Sequence, residues 1–476
     1  MKRNRIMIAA PKSGSGKTTI TCALLQALKD RGISAVSYKC GPDYIDPMFH
    51  KTVLDIPSKN LDTFFTDEVQ TRALFLKDRT EDDFAVLEGV MGLFDGLGGV
   101  REEGSSYHLA KVTGTPIVLV VDAKGMGKSV AALIAGFLAY DTEHLIKGVI
   151  LNRMSKGYFD ILKPVLEQEL RIQVLGYFPE IKTMQLESRH LGLRMPGEIA
   201  DIREQLKAAA DGLEKTVSVE KIVEIGEQAE AIGGVETGEG QGNGCRLQNA
   251  ENGDRNILHS RPVIAVAKDE AFCFYYDDNL RLLEEYGAKL CYFSPIHDEE
   301  LPENCAGILL GGGYPELYAA ELSANKTMRE WIKAAVEMGI PTVAECGGFM
   351  YLHSAIEDQN GTMYEMAGVL SGTCSYKGKL VRFGYIRLTE NDSHFLPEGA
   401  SICAHEFHYF DSSNNGEDCT ALKPVTGKTY PCVIAGETYW LGFPHLYYPS
   451  NPEFARRFVE NAANYQKNRM VSAQTL

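Results

Sequence analysis

Nowhere does the chain carry the roughly 20 consecutive apolar residues that a membrane-spanning helix needs. Its opening apolar run, Ile6-Met7-Ile8-Ala9-Ala10, is too short for a signal-peptide core with a cleavage site behind it. There is no CxxC pair and no Cys/His cluster at zinc spacing. The 11 cysteines, an odd number, are scattered and read as reduced thiols in apolar cores rather than as a disulfide framework. Positive charge is in short supply: 48 Lys and Arg face 64 Asp and Glu, a formal charge of −16. Sequence-independent nucleic-acid binding, which runs on cations that neutralise phosphates, is disfavoured by that balance. A local basic pocket for a small anion is not. Neither an amphipathic anchor nor a basic face stands out, and no unit repeats every 20–50 residues. These absences predict a soluble, cytoplasmic protein that engages neither membrane nor nucleic acid. What remains is globular composition, 44% hydrophobic and 24% charged over 476 residues, enough for two or three domains.

Short apolar runs alternate with amphipathic stretches through the first half. Residues 5–10, 35–39, 84–88, 117–122 and 148–152 read as buried strands, and 18–31, 128–140 and 159–169 as helices between them. That alternation predicts an α/β domain whose parallel sheet is covered on both faces. The pattern fades near residue 200. Residues 233–253 then carry seven glycines among Glu, Gln, Asn and Thr, too little apolar surface to offset the entropy of ordering. The expected organisation is a first domain over 1–232, a flexible linker over 233–260, a second α/β domain over 261–465 and a tail over 466–476. In the second domain, 263–267, 290–293, 307–310 and 341–344 read as strands, and 276–286 and 328–338 as helices. Beyond Gly368 the runs shorten and become more β-like.

The first strand runs into Pro11-Lys12-Ser13-Gly14-Ser15-Gly16-Lys17-Thr18-Thr19, and a helix follows. A tight strand-to-helix loop aims backbone N–H groups at one point, where the positive helix end also favours an anion. Gly14 and Gly16 let the backbone approach phosphate oxygens, Lys17 supplies a point charge, and the Thr18 hydroxyl suits Mg²⁺. Pro11 stands where the usual pattern has its first Gly. The string instead fits the variant loop with a leading lysine, Lys12, and resembles the ATPases that include dethiobiotin synthetase and the Min/Par proteins. ATP is therefore the expected co-substrate.

Phosphoryl transfer needs acidic Mg²⁺ ligands nearby. Gly41-Pro42-Asp43-Tyr44-Ile45-Asp46-Pro47 follows the second strand, where loops face the nucleotide in such sheets. Glu88-Gly89-Val90-Met91-Gly92-Leu93-Phe94-Asp95-Gly96 closes the third. Thr18, Asp46 and Glu88 are the expected metal ligands.

In the second half, Val343-Ala344-Glu345-Cys346-Gly347-Gly348 sets one cysteine between an apolar strand and a helix start. This is a nucleophile elbow, where the helix end is expected to lower the thiol pKa. Upstream, Gly312 and Gly313 follow another strand and can form an oxyanion hole. His445, in Gly442-Phe443-Pro444-His445-Leu446, is the candidate base.

These residues resemble a known family. Glu345-Cys346-Gly347-Gly348 and His445 resemble the class I glutamine amidotransferase domain of the cobyrinate/cobyrate type. Class I enzymes in general carry a Glu two residues after that histidine. Tyr447 stands there, so a Cys-His dyad is what the resemblance implies. The Gly41–Pro47 and Glu88–Gly96 strings and Arg189-His190-Leu191-Gly192-Leu193 resemble the cobyrinic acid a,c-diamide synthase family, over nearly the whole chain.

The resemblance implies an N-terminal dethiobiotin synthetase-like P-loop domain and a C-terminal amidotransferase domain. It implies a carbon–nitrogen ligase of cobalamin biosynthesis: ATP phosphorylates the a and c carboxylates of cobyrinate, and ammonia from L-glutamine displaces phosphate. It places Lys12, Gly14, Ser15, Gly16, Lys17, Thr18, Thr19 and Asn152 at ATP, the last at adenine. It sets Asp43, Tyr44, Asp46 and Asp95 toward the corrinoid, and implies that the two domains face each other so that ammonia is kept from bulk protons. A polyanionic substrate needs local cations, for which Lys39, Arg189, His190 and Arg194 are the candidates. His405 and His408 also lie in a family string, and only the resemblance favours His445 over them as base. Hydrogenobyrinate or nickel-sirohydrochlorin are alternative substrates. A Min/Par-like ATPase switch, with a dead amidotransferase half, is a further alternative. A homodimer is the base-rate expectation.

Overall fold

The computed structural model describes residues 4–77, 79–180, 202–232 and 261–474. Arg189, His190 and Arg194, and the stretch expected as linker, lie outside the described residues. The chain divides into two compact units, Met1–Gly242 and Asn243–Leu476.

The first unit is built on a seven-stranded sheet. Its strands are β1 (Arg5–Ala9), β2 (Ala35–Cys40), β3 (Ser58–Leu61), β4 (Phe84–Glu88), β5 (Ile117–Asp122), β6 (Ile146–Asn152) and β7 (Gln173–Phe178). Their spatial order is β3-β2-β4-β1-β5-β6-β7, and every pairing is parallel. Ile6, Met7, Ile8, Val86, Leu87, Val118 and Val120 are fully buried, as a sheet covered on both faces requires. Strand β1 lies between β4 and β5, so the loop after it opens at the middle of the sheet, beside the carboxyl end of β4.

The five strands expected in this unit form within two residues of their expected ends. The sequence reading missed two more. Strand β3 is four residues, Ser-Lys-Asn-Leu, too short and polar to register as an apolar run, and it sits at an edge. Strand β7 is interrupted by Gly176. Helices Ile202–Thr216 and Val219–Glu227 form where the alternation fades, and each buries a one-sided apolar stripe: Leu206, Ala209, Ala210 and Leu213 in one, Ile222 and Ile225 in the other.

The second unit has a six-stranded sheet in the order Lys289–Phe293, Val263–Ala267, Cys305–Leu310, Thr342–Glu345, Tyr439–Gly442, Ile434–Ala435. The first five strands are parallel and the last pairs antiparallel. A five-stranded sheet (Thr429–Cys432, Cys419–Leu422, Arg382–Glu390, Ser401–His408, His445–Leu446) carries the β-rich end of the chain. The closing helix runs Glu453–Gln474, so from residue 466 a helix continues where a tail was expected. Phe454, Phe458 and Ala462 of that helix are fully buried, which ties its first turns to the core. No helix among the described residues is long and apolar enough to cross a membrane.

Candidate active sites

The loop from β1 enters helix α1 (Lys17–Asp30) through Gly14 and Gly16, whose φ angles of 73° and 93° are left-handed. Such backbone turns successive N–H groups inward at low cost only for glycine. Helix α1 has no acidic residue in its first turn, which leaves the positive end open to an anion. Ser15 Oγ donates to the Lys12 carbonyl at 2.9 Å. The Lys12 side chain is exposed, and Thr19 is half-buried in the first turn of α1. Lys17 is buried and donates to the Met91 carbonyl at 2.5 Å. Burial, with Lys39 next in effect, pulls its ammonium down to about 8.

Thr18 Oγ1 donates to Glu88 Oε1 at 2.5 Å. The same oxygen accepts from Lys39 Nζ at 2.8 Å, and Lys39 also bonds Asp46 and lies 4.0 Å from Asp43. Thr18, Asp46 and Glu88, expected as a set, are thus gathered through one buried lysine. Burial opposes the Lys39 charge, but Asp46, Glu88 and Asp43 outweigh it and hold the ammonium well above its ordinary range. Lys39 was expected as a cation for the substrate. With 5% of its surface exposed, it spends its charge on these carboxylates instead.

Burial raises Asp46, and burial with Asp46 beside it raises Asp43 to about 7. Asp43 Oδ1 accepts the Ile45 and Asp46 N–H groups at 2.8 and 3.2 Å, capping the helix Ile45–Thr52, while Tyr44 is half-buried at its start. Asp95 Oδ2 accepts the Gly92 N–H at 3.0 Å and braces the loop that carries Met91. Behind the carboxylates lies His50, which sequence reasoning missed. It is fully buried, with Nδ1 2.9 Å from Ser37 Oγ and Nε2 3.8 Å from Glu88 Oε2, and burial lowers it to about 4.

No cluster of three His, Cys, Asp or Glu side chains set for a metal occurs among the described residues. A nucleotide-site Mg²⁺ needs fewer protein ligands, because water and phosphates complete its shell. Two buried carboxylate oxygens, Asp46 Oδ1 and Glu88 Oε2, have no hydrogen-bond partner among the described residues. With the Thr18 hydroxyl they form a hard-oxygen set that fits Mg²⁺.

Asn152 closes the site from the end of β6. Its Nδ2 donates to the Ser15 carbonyl at 2.8 Å, and its Oδ1 accepts the Arg153 N–H at 2.9 Å. Arg153 has a left-handed φ of 58°, donates to the Gly14 carbonyl at 3.1 Å and is paired with Asp122. The amide expected at adenine therefore braces the phosphate loop.

In the second unit, strand Thr342–Glu345 ends in Cys346, whose φ of 47° and ψ of −102° make the sharp, strained corner of an elbow before helix Gly347–Tyr351. The corner is pinned by Cys346 N–H donating to the Gly442 carbonyl at 2.8 Å and Gly348 N–H donating to the Gly311 carbonyl at 2.9 Å. The start of that helix also needs glycine at 348, where a Cβ would stand 2.2 Å from the Leu310 carbonyl oxygen.

Gly312 and Gly313 run beside this corner. A Cβ on Gly312 would lie 2.3 Å from His445 Cε1, and one on Gly347 would lie 3.1 Å from the Gly313 nitrogen. The structure thus draws Cys346, His445, Gly312 and Gly313 into one place. Tyr275 supports the glycine strand, its hydroxyl accepting the Gly311 N–H at 2.9 Å.

The thiol differs from expectation. Burial, then the nearby Glu316 carboxyl, pushes Cys346 up, and the hydrogen bond from the Gly347 N–H does not offset this. Burial and then His408 pull His445 down to about 3, so it is a neutral imidazole able to take a proton. His405 faces it across paired strands and is likewise lowered to about 3, by burial and then by His445. His408 is stacked on Phe443 with ring centroids 4.0 Å apart, and its Nδ1 is 2.6 Å from the Phe410 carbonyl. Tyr447, at the position of the class I glutamate, donates to Asp278 at 2.9 Å.

Two family models match the chain. The CobQ/CobB/MinD/ParA nucleotide binding domain covers residues 6–193, and the CobB/CobQ-like glutamine amidotransferase domain covers 263–434, ending short of His445. Proteins named cobyrinate a,c-diamide synthase match almost end to end. That of Dehalococcoides mccartyi strain CBDB1 is 37% identical over 97% of this chain and 98% of its own. That of Listeria innocua is 41% identical over 85% and 87%, and that of Streptococcus sanguinis 40% over 88% and 89%.

Proposed function

The chain belongs to the cobyrinate a,c-diamide synthase family, and from that premise we propose that it amidates the a and c carboxylates of cobyrinate, with ATP and glutamine, in cobalamin biosynthesis. It is a glutamine-hydrolysing amide ligase.

In the first unit, the loop from Gly14 to Thr18 cradles the phosphates and Lys17 turns from the Met91 carbonyl to the outer ones. Thr18, Glu88 and Asp46 would hold Mg²⁺, which when bound would offset phosphate charge. The substrate carboxylate attacks the γ-phosphorus, ADP leaves, and an acyl phosphate forms. A carboxylate is a poor acyl donor, and phosphorylation supplies its leaving group. Asp43 and Tyr44, beside this cluster, face the corrinoid.

In the second unit, His445 accepts the Cys346 proton as sulfur attacks the glutamine carboxamide. The Gly312–Gly313 backbone stabilises the oxyanion. Ammonia leaves with the proton returned by His445, and water hydrolyses the thioester to glutamate. Ammonia then displaces phosphate from the acyl phosphate, leaving the amide. We place the enzyme in the cytoplasm.

The observation that supports this reading best is the coexistence, in one chain, of a phosphate loop tied to Glu88 and a strained cysteine elbow beside His445. The test is product mass after incubation with Mg-ATP, glutamine and cobyrinate, hydrogenobyrinate or nickel-sirohydrochlorin. Two added amides on cobyrinate alone support the proposal. The same shift on another substrate reassigns the tetrapyrrole. No shift on any, with brisk ATP hydrolysis, overturns it.

A further inference from the structure

The class I position for an acid behind the histidine is filled by Tyr447, which is turned to Asp278. A carboxyl reaches His445 from elsewhere. Glu345 is the last residue of the strand that ends at the elbow, directly before Cys346, and is only 5% exposed. Its Oε2 lies 4.0 Å from His445 Nδ1. Its Oε1 accepts from the Tyr448 hydroxyl at 3.4 Å, and the carboxyl also bonds the backbone of Leu446, the residue after His445. One carboxyl thus touches both the strand segment that carries the base and the residue that carries the nucleophile.

We propose that Glu345 is the positioning acid of the glutaminase, taking the place of the missing class I glutamate from the nucleophile side of the dyad. It accepts Nδ1–H of His445, which fixes the tautomer with Nε2 bare for the Cys346 proton. When His445 becomes imidazolium, Glu345 stands beside the new charge. At 4.0 Å the pair is longer than a hydrogen bond, and catalytic hydrogen bonds are commonly long before substrate binds and tighten afterwards.

The need for such a group follows from the dyad itself. A thiol pushed up by burial must hand its proton to an imidazole that burial holds neutral, so an unassisted transfer runs uphill. A carboxylate on the far side of the ring lowers that cost. Tyr275, Tyr448 and Cys346 also face Glu345, and His405 and His408 flank His445. Glu316 and Glu406 add their charge around Cys346. Burial pushes the Glu345 carboxyl itself up to about 8, so its charged form becomes available at mildly alkaline pH.

This inference rests on the glutaminase reading, and the test separates the two. In the full-length enzyme, glutamine hydrolysis and ammonia-dependent amidation are measured for Glu345→Gln, Glu345→Asp and Cys346→Ala. Glutamine hydrolysis surviving in Cys346→Ala removes the reading, and the inference with it. With that activity lost, Glu345→Gln is expected to lower glutaminase kcat about 100-fold. KM for glutamine and ammonia-dependent amidation should hold within about twofold, and the rise of wild-type glutaminase toward pH 8 should disappear. Glu345→Asp should restore part of kcat. A Glu345→Gln enzyme with wild-type kcat and the same pH profile overturns the proposal. Should Glu345→Gln not fold, Tyr448→Phe, which removes only the Oε1 contact, must lower kcat and shift the same limb, and an unchanged profile there overturns it equally.

Discussion

The Asn152 side chain and the phosphate loop are locked together: Nδ2 donates to the Ser15 carbonyl at 2.8 Å, directly over Gly16. A Cβ on Gly16 would sit 2.2 Å from that nitrogen, on a backbone with φ near 93°. Gly16→Ala is therefore expected to abolish nucleotide binding, with affinity for a fluorescent ATP analogue reduced more than about 100-fold. Asn152→Ala, which removes the brace but no phosphate donor, should weaken binding about tenfold, near the value of one buried hydrogen bond. Equal affinity in Asn152→Ala and wild type would show that the brace is dispensable.

Glu88 joins the Thr18 hydroxyl to the Lys39 ammonium through one oxygen. Glu88→Gln keeps the shape and removes the charge. ATP-dependent phosphoryl transfer should fall about 100-fold, and the Mg²⁺ concentration for half-maximal rate should rise. Glutamine hydrolysis by Cys346 lies in the other unit and should persist. An unchanged Mg²⁺ requirement would remove Glu88 from the metal set.

Gly312 leaves no room for a side chain, since a Cβ there would meet His445 Cε1 at 2.3 Å. Gly312→Ala must displace either the oxyanion strand or the base. Glutamine-dependent amidation should drop at least about 100-fold. Added ammonia should restore amide formation, as it should for Cys346→Ala. Failure of ammonia rescue in a folded Gly312→Ala protein would deny the division of labour between the units.

Most of what positions the sites was legible in order and spacing. Buried strands such as β4 and β5 are continuous apolar runs, and Gly14 to Thr18 or Cys346 with its two glycines are compact local strings. What escaped was set by tertiary contact. His50 is remote in sequence from Glu88 yet sits behind it, and Lys39 reads as one cation among many until burial forces it onto carboxylates. The elbow was visible, but the state of its thiol was not. A helix start favours thiolate, and only the packed structure shows burial winning. Glu345 reads in sequence as one letter of the elbow motif, and the pairing of its strand with Tyr439–Gly442 brings it to His445.

The buried groups of the second unit also fix how its stability responds to pH. His405 and His445 are held down to about 3, against an ordinary value of about 6.5. Below pH 6.5 the unfolded chain takes up two protons that the folded unit refuses. The stability these histidines contribute is fully present above that pH and is lost as pH falls toward 3, at up to about 1.4 kcal/mol per pH unit for each. Glu345 acts with the opposite sign. Its folded value near 8 lies above the unfolded value of about 4.5, so its contribution is present below 4.5 and is lost as pH rises through 8. Burial likewise raises Glu316, to about 7, and Glu390, and lowers His353 and His408, so stability should fall on both limbs, on the acid side through the four histidines and on the alkaline side through the three glutamates. Thermal unfolding of the full chain from pH 4 to 9 checks this through the transition assigned to this unit. His405→Gln should flatten the acid limb and Glu345→Gln the alkaline one. An acid limb unchanged in His405→Gln would mean that this histidine takes up its proton in the folded unit as readily as in the unfolded chain, and would remove the basis for reading its neighbour as a neutral base.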